Sequence, residues 1–347
     1  MRKPAYFERN GCIYVAFNTT SLDAGLPPCE TEPPETLLTD FMRDWLQIMA
    51  SQIRHNTLDS YWYMFNRHIE PFFGVRQITV QSASLSDFQE FVDKKYQDGY
   101  SPTSIAKFHS IVHKCLRYAV SRGIIDYNPS DYVLLPKKVK YISRTFDQAQ
   151  LNLFLKEAKS SPAEPAFILA ATYGLRRSEA AGLRWQAIDF SAGTILINHT
   201  AISSNGKVTY SDRVKTNSSY RTLPLMQGMR EYLLQLRQRQ HEMQLRYGSD
   251  YHSSDYVCRR DNGKPLRPDY ISQEFAKLCR KTALPHIRFH DLRHSAATLL
   301  LREGFSLKQI QEWLGHANIT TTANTYAHVT YSDKLQMAAH LDHLFDM

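Results

Sequence analysis

The chain has 347 residues, 43% of them hydrophobic and 22% charged, enough for two domains with cores of their own. Lysine and arginine exceed aspartate and glutamate by 42 − 34 = 8, a balance that suits a polyanionic partner as well as an ordinary solvated surface. The five cysteines (Cys12, Cys29, Cys115, Cys258, Cys279) are odd in number and never CxxC-spaced, which argues against a disulfide framework or zinc knuckle; no apolar run approaches the roughly 18 residues of a membrane span, so a soluble, cytoplasmic protein is expected.

Residues 1–34 form a short N-terminal segment. CIYVAFNTT alternates like one strand after the turn signal Asn10-Gly11, and SLDAGLPPCETEPPE reads as an irregular linker. Residues 35–132 turn helical. Leu38, Phe41, Met42, Trp45, Leu46 and Met49 recur at three and four; a second helix opens at Asn56 and runs through Phe65 and Ile69 until Pro71 and Gly74 end it. Ser86, Phe88, Phe91 and Val92 mark a third. A fourth begins at Ser101-Pro102 and stops at Gly123, with Lys107, Lys114 and Arg117 on one side, a face suited to a phosphate backbone or to solvent alone. Residues 133–145, with Lys137, Lys138 and Lys140 and little apolar period, read as a basic linker running near nucleic acid.

From Phe146 a second domain is expected, reaching residue 347. Helices are predicted at 147–158 and 164–172; then in TYGLRRSEAAGLRW Gly174 breaks the helix and Ser178 caps the next. Three short antiparallel strands follow, 194–199, then 207–215 across the hairpin signal Asn205-Gly206, then 221–225. Met229–Gly248 reads as a charged scaffold helix. In FHDLRHSAATLLLREGF, His290 and Arg293 share one helix face; Gly304 ends that helix, Ser306 with Gln309 forms a capping box for the next, and Gly315 stops it just before His316. Tyr326 follows ten residues later. Beyond it Leu335, Met337, Ala338, Leu341 and Leu344 suit a tail helix that docks on its own domain or on a neighbouring subunit.

Two imidazoles, a guanidinium and a phenol suit chemistry on an anion with tyrosine as the attacking group. The alternative is that His290 and His294, four apart, form a satisfied surface pair or a metal pair. HExxH chemistry needs a glutamate beside the first histidine and a third ligand, and here the neighbour is Asp291.

HDLRH, then LGH, then a threonine pair followed by a tyrosine, resembles the C-terminal signature of the tyrosine recombinases, the phage-type integrases. The spacing from His316 to Tyr326 is similar to that in integrases of conjugative transposons and related prophages. The resemblance covers roughly residues 36–330. It implies a mainly α fold with a small antiparallel β-sheet: an N-terminal helical, SAM-like core-binding domain that closes half of a clamp on DNA, and a C-terminal α+β catalytic domain. Residues 1–34 stand where relatives carry an arm-binding domain, and imply at most a vestige of one.

The same resemblance assigns Arg176 in the Gly-Leu-Arg box, with Arg177 as the natural misassignment and Glu179 as its orienting partner. It assigns Lys215 in KTNSSYRTLPL, with Lys207 and Arg213 as alternatives, and with His290, Arg293, His316 and Tyr326 completes the set. Tyr326 would attack a DNA phosphodiester to give a 3′-phosphotyrosyl enzyme. His290 would accept its proton, Lys215 would protonate the leaving 5′-oxygen, His316 would donate to a non-bridging oxygen, and the arginines would balance charge. No cofactor and no metal are implied. The implied partners are double-stranded DNA carrying recombination sites, a homo-tetramer in the synaptic complex, and accessory DNA-bending or directionality proteins, with no membrane. Two rival readings share the fold. A type IB topoisomerase-like enzyme would relax supercoils without a defined site, and a non-catalytic DNA-binding regulator would be expected to have lost some of these polar residues.

Overall fold

The structure is a computed structural model that describes residues 35–138, 144–204, 206–212 and 220–315, and the backbone of 5–9 and 12–16. It divides into two compact units, Met1–Lys140 and Tyr141–Met347.

In the first unit β1 (Ala5–Arg9) pairs antiparallel with β2 (Cys12–Ala16), so the single expected strand is a hairpin. Five residues ending in Glu8 and Arg9 carry too little period to announce a strand. Helices α1 (Leu38–Met49) and α2 (His55–Met64) follow, and a π-helical turn (Phe65–Ile69) leads from α2 directly into α3 (Glu70–Arg76). Pro71 therefore does not end the second helix as expected. It falls in the first turn of α3, where its missing N–H is tolerated, and the wider π turn before it takes up the change of register. The chain stops instead at Gln77, in the left-handed conformation at φ 52°. α4 (Leu85–Gln97) opens with Ser84, whose N–H donates to Asp87 Oδ2 at 2.9 Å, and α5 (Pro102–Ser121) with Ser101, whose Oγ accepts from Ser104 N at 3.2 Å. The apolar stripes read from the sequence meet in one core containing Leu38, Trp45, Phe65, Phe73, Phe88, Phe91 and Phe108.

The second unit begins with α6 (Gln148–Ala158), α7 (Glu164–Tyr173) and α8 (Arg177–Gly182). Short strands β3 (Ile188–Asp189), β4 (Thr194–Ile197), β5 (Thr200–Ser204), β6 (Lys207–Ser211) and β7 (Arg221–Pro224) come next. Then follow α9 (Gln227–Tyr247), α10 (Pro268–Lys281), α11 (Asp291–Arg302) and α12 (Leu307–Leu314). α7 is apolar on every side and forms the middle of the core, with Phe146, Phe154, Phe167, Phe275 and Phe289 clustered around it.

The strands make two sheets, β3-β4-β7 and β5-β6, where the sequence suggested one set of three. The hairpin across Asn205-Gly206 has Thr200–Ser204 as its first arm, and Thr194–Ile197 pairs with β7. The division falls at His199. Its ring is buried between Asp212 Oδ1 at 2.7 Å and the Tyr256 hydroxyl at 3.1 Å, partners that side-chain alternation cannot reveal. Among the described residues no helix is long and apolar enough to cross a membrane.

Gly182 ends α8 against the backbone of β5. A Cβ there would lie 2.7 Å from Thr200 Cα and 2.8 Å from Ala201 N, atoms a paired strand cannot easily move. Helix propensity alone would make Gly182→Ala stabilising by about 1 kcal/mol. The close approach reverses the sign, and urea denaturation should show a loss of about 1–3 kcal/mol.

Candidate active site

The site begins where α7 stops. Gly174 takes the left-handed conformation, φ 63°, and a Cβ on it would stand 2.2 Å from Leu314 Cδ2 and 3.5 Å from Arg293 Cγ. Only glycine lets the end of α7, the start of α11 and the end of α12 come this close. Two residues on, Arg176 is the N-cap of α8, and its backbone N–H donates to Glu179 Oε2 at 3.0 Å. Ser178, the expected cap, lies inside the helix. The glutamate three residues past Arg176 reaches back and starts the helix two residues earlier.

Glu179 is 2% exposed and collects guanidinium groups. Arg176 Nη1 donates to Oε1 at 2.5 Å and Arg221 Nη2 to Oε2 at 3.1 Å. Each arginine also reaches the end of α12: Arg176 Nη2 donates to the Gly315 carbonyl at 2.8 Å and Arg221 Nε to the Trp313 carbonyl at 3.0 Å. Burial alone would raise the Glu179 carboxyl, but the charges of Arg221, Arg176 and Arg293 outweigh it and hold the group at about 2. The carboxylate therefore stays ionised at any working pH.

Arg293, 1% exposed, comes in from α11, and its Nη1 donates to the Gly174 carbonyl at 2.7 Å. His290 caps the same helix, with the His294 ring edge-on at 5.2 Å. By surface area His290 is exposed to solvent, although many protein atoms stand close around it. That crowding, with the positive charges of Arg293 and Arg176 and the neighbouring His294, pushes its pKa down to about 4, against a smaller opposite pull from Asp291. The imidazole is thus neutral near pH 7 and able to accept a proton. Asp291, fully buried, accepts from Arg288 Nη2 at 3.0 Å and from its backbone N–H at 2.8 Å, fixing the turn into α11.

Arg176, His290 and Arg293 thus come together in the second unit. Arg177 does not join them: its Nη1 turns to Ser272 Oγ at 3.0 Å on α10. Lys207 is exposed at the start of β6. Lys215, Arg213, His316, Tyr326 and Lys140 lie outside the described residues, as does the tail after Tyr326. In the first unit Lys107, Lys114 and Arg117 are exposed along α5, and Lys114 Nζ donates to the Tyr61 hydroxyl at 2.7 Å; Lys137 and Lys138 are exposed beyond it. Among the described residues no three His, Cys, Asp or Glu side chains gather as a metal site would require.

The sequence motifs do not announce Arg221 as part of this cluster. The signal is its place in RTLPL: with alternate residues inward, Arg221 shares the buried face of β7 with Leu223, and a buried arginine needs an acid and carbonyls around it.

Comparison with known proteins identifies both units. The Phage integrase family model matches residues 144–333, and the Phage integrase SAM-like domain matches residues 37–139. The chain is 28% identical over 331 residues to a "Tyrosine recombinase XerC-like" protein of Caldanaerobacter subterraneus subsp. tengcongensis, covering 90% of this chain and 84% of the relative. It is 26% identical over 286 residues to the ICEBs1 integrase of Bacillus subtilis, covering 81% of this chain and 76% of the relative. In fold it is similar to the Tn1549 transposon integrase (residues 82–397) solved with transposon right end DNA, at TM-score 0.73 and 21% identity, covering 88% of this chain and all of that one.

Removing the charge on Glu179 leaves the buried Arg221 and the half-buried Arg176 without their shared anion. Glu179→Gln should lower stability at neutral pH by about 3–5 kcal/mol. Because the folded carboxyl lies below its ordinary value of 4.5, its contribution is fully present above 4.5 and is lost as pH falls toward about 2. Urea denaturation across that window should show a steep loss in the parent and a shallower one in the variant.

Proposed function

As the chain belongs to the phage integrase family of tyrosine recombinases, we propose that it cuts and rejoins DNA with Tyr326 as nucleophile and Arg176, Lys215, His290, Arg293 and His316 around the scissile phosphate. The enzyme is a site-specific recombinase of the kind carried by conjugative transposons. The observation that carries the assignment of roles is the meeting of Arg176 and Arg293, from the start of α8 and from α11, beside a neutral His290.

A phenol with an ordinary pKa of about 10 attacks poorly at neutral pH unless a base takes its proton as the bond to phosphorus forms. His290 is that base. The guanidiniums are permanently charged and offer paired donors to the two non-bridging oxygens, with His316 adding a further donor. Lys215 gives its proton to the departing 5′-oxygen. The product is a 3′-phosphotyrosine and a 5′-hydroxyl, one ester bond formed for one broken, so the exchange needs neither ATP nor a metal ion. A 5′-hydroxyl from a second duplex then attacks the phosphotyrosine and frees Tyr326. Two duplexes each cut in both strands need four tyrosines, hence a homo-tetramer on DNA with a Holliday junction midway. DNA-bending or directionality proteins would act as accessories.

Lys107, Lys114 and Arg117 on α5, with Lys137, Lys138 and Lys140 after it, are read as cations of the core-binding unit that face DNA phosphates. Replacing any one of them by a neutral residue should reduce the slope of log affinity against log salt by about 0.9. Filter binding of Lys107→Ala and Arg117→Ala over a salt series checks this.

On a suicide substrate carrying the ends of its own element, the full-length protein should form a covalent adduct in the presence of chelator. Tyr326→Phe should form none while binding the site almost as tightly, whereas adduct from that variant would remove Tyr326 as nucleophile. Lys215→Ala should be slow on ordinary DNA and recover when the 5′-bridging oxygen is sulfur, because a thiolate, with a thiol pKa of about 8.5, leaves without a proton.

A further inference from the structure

We propose that the second unit holds a further anion site, apart from the reaction centre, in which Lys159, Arg239, Arg259 and Arg260 receive a free phosphate or the terminal phosphate of a small phosphorylated molecule. The place is a cavity of about 230 Å³ between the turn from α6 to α7, the middle of α9 and the segment 251–261. It lies at the start of α7, whereas the reaction centre gathers past the other end of that helix; its 10 residues separate the two by about 15 Å. None of these side chains takes part in the proposed reaction.

Four cations and two acids, Glu164 and Asp261, border the cavity, an excess of 4 − 2 = 2 positive charges. Glu164 is answered by Arg239, whose Nη2 stands 3.7 Å from Oε2. Among the described residues Lys159, Arg259 and Arg260 form no ion pair. Arg259 is the informative member. It is half-buried, with its Nε donating to Gln240 Oε1 at 2.8 Å, its Nη1 to the Ser254 carbonyl at 2.6 Å and its guanidinium 5.7 Å from the centre of the Tyr251 ring. Where Arg176 and Arg221 have Glu179, Arg259 has no carboxylate bonded to it among the described residues. Burial presses its pKa down, against weaker pulls from Tyr251 and Asp255, yet a guanidinium stays charged at any working pH. A cation drawn partly out of water without a counter-ion is costly, and an anion in the cavity would offset that cost.

The cations stand on fixed supports. Arg260 opens a turn whose N–H donates to the Lys264 carbonyl at 2.9 Å, and Ser254 Oγ donates to the Gly263 carbonyl at 2.8 Å. Gly263, at φ 82°, closes that turn so near the preceding segment that a Cβ would lie 2.2 Å from the His252 carbonyl oxygen. Behind Arg259, the buried Gln240 also accepts from Trp185 Nε1 at 3.0 Å and donates to the Val257 carbonyl at 2.8 Å. Orientation settled in advance lowers the cost of binding. The volume falls below the roughly 300–1,000 Å³ of sites for drug-sized ligands, so a small anion fits better than a large one. A phosphomonoester carries about −1.5 to −2 at pH 7, which matches the excess charge, whereas each backbone phosphate of DNA carries one charge.

The test is a titration of the full-length protein with inorganic pyrophosphate at constant ionic strength, followed through the indole N–H resonances of its four tryptophans, assigned by single Trp→Phe variants. Trp185 shares the Gln240 acceptor with Arg259 and reports on this cavity; Trp313, stacked on Tyr173 at 5.7 Å, reports on the reaction centre, whose own cations also attract phosphate. The Trp185 signal should shift saturably with a midpoint at or below about 1 mM. Lys159→Ala and Arg260→Ala, at exposed positions, should together raise that midpoint at least tenfold and leave the Trp313 response as it was. Should the pair fail to fold, either substitution alone should raise it about threefold or more. A Trp185 signal that stays still to about 10 mM, or that moves equally in parent and variant, would overturn the proposal. So would an unrelated DNA duplex whose affinity falls in the variant while pyrophosphate leaves Trp185 unmoved, since these side chains would then belong to the DNA-binding surface.

Discussion

One buried carboxylate organises the catalytic unit. Glu179 is almost wholly out of water, and it is kept ionised there because Arg176, Arg221 and Arg293 surround it. Breaking up such a group is costly, since removing any one member leaves charge stranded in a medium that solvates it poorly. The same arrangement holds the guanidiniums in place before any DNA arrives. In the proposed reaction a phosphate would meet cations whose orientation has already been settled, which would leave little reorganisation for the reaction step.

Every neighbouring element is tied to this centre. α8 starts on it through the backbone of Arg176, β7 reaches it through Arg221, and the end of α12 is bound by both arginines. α11 joins through Arg293, whose bond to the Gly174 carbonyl closes the loop back to α7. Gly174 allows this closure because no larger residue fits between Leu314 and Arg293. The cost is concentrated positive charge, and His290 registers it: its low pKa in the protein alone follows from the protein atoms close around it and from the cations beside it. An incoming phosphate would offset that field and raise the histidine toward the range in which it can hold the tyrosine's proton.

Much of this is legible in the residues. The alternation and the three-four periods place nearly all the helices, because their apolar stripes make the cores; the box around Arg176 and the HDLRH run locate two arginines and a histidine that the fold brings together. What escapes the sequence depends on partners distant in the chain. Pro71 breaks no helix, since a π turn before it changes the local register. The helix at Arg176 begins on a glutamate's reach and not on the serine that resembles a cap. The strands divide into two sheets at His199, whose partners Asp212 and Tyr256 lie 13 and 57 residues away. Arg221 looks like an ordinary strand residue until Glu179, 42 residues distant, gives its burial a reason.

The measurement that bears most directly on the role of this centre is single-turnover cleavage by Arg176→Ala on two substrates, one with the natural scissile phosphate and one with a methyl group replacing a non-bridging oxygen. If the guanidiniums held by Glu179 exist to balance the phosphate's charge, the variant should be slow on the natural substrate and recover most of its rate on the neutral one. Equal impairment on both would contradict that account.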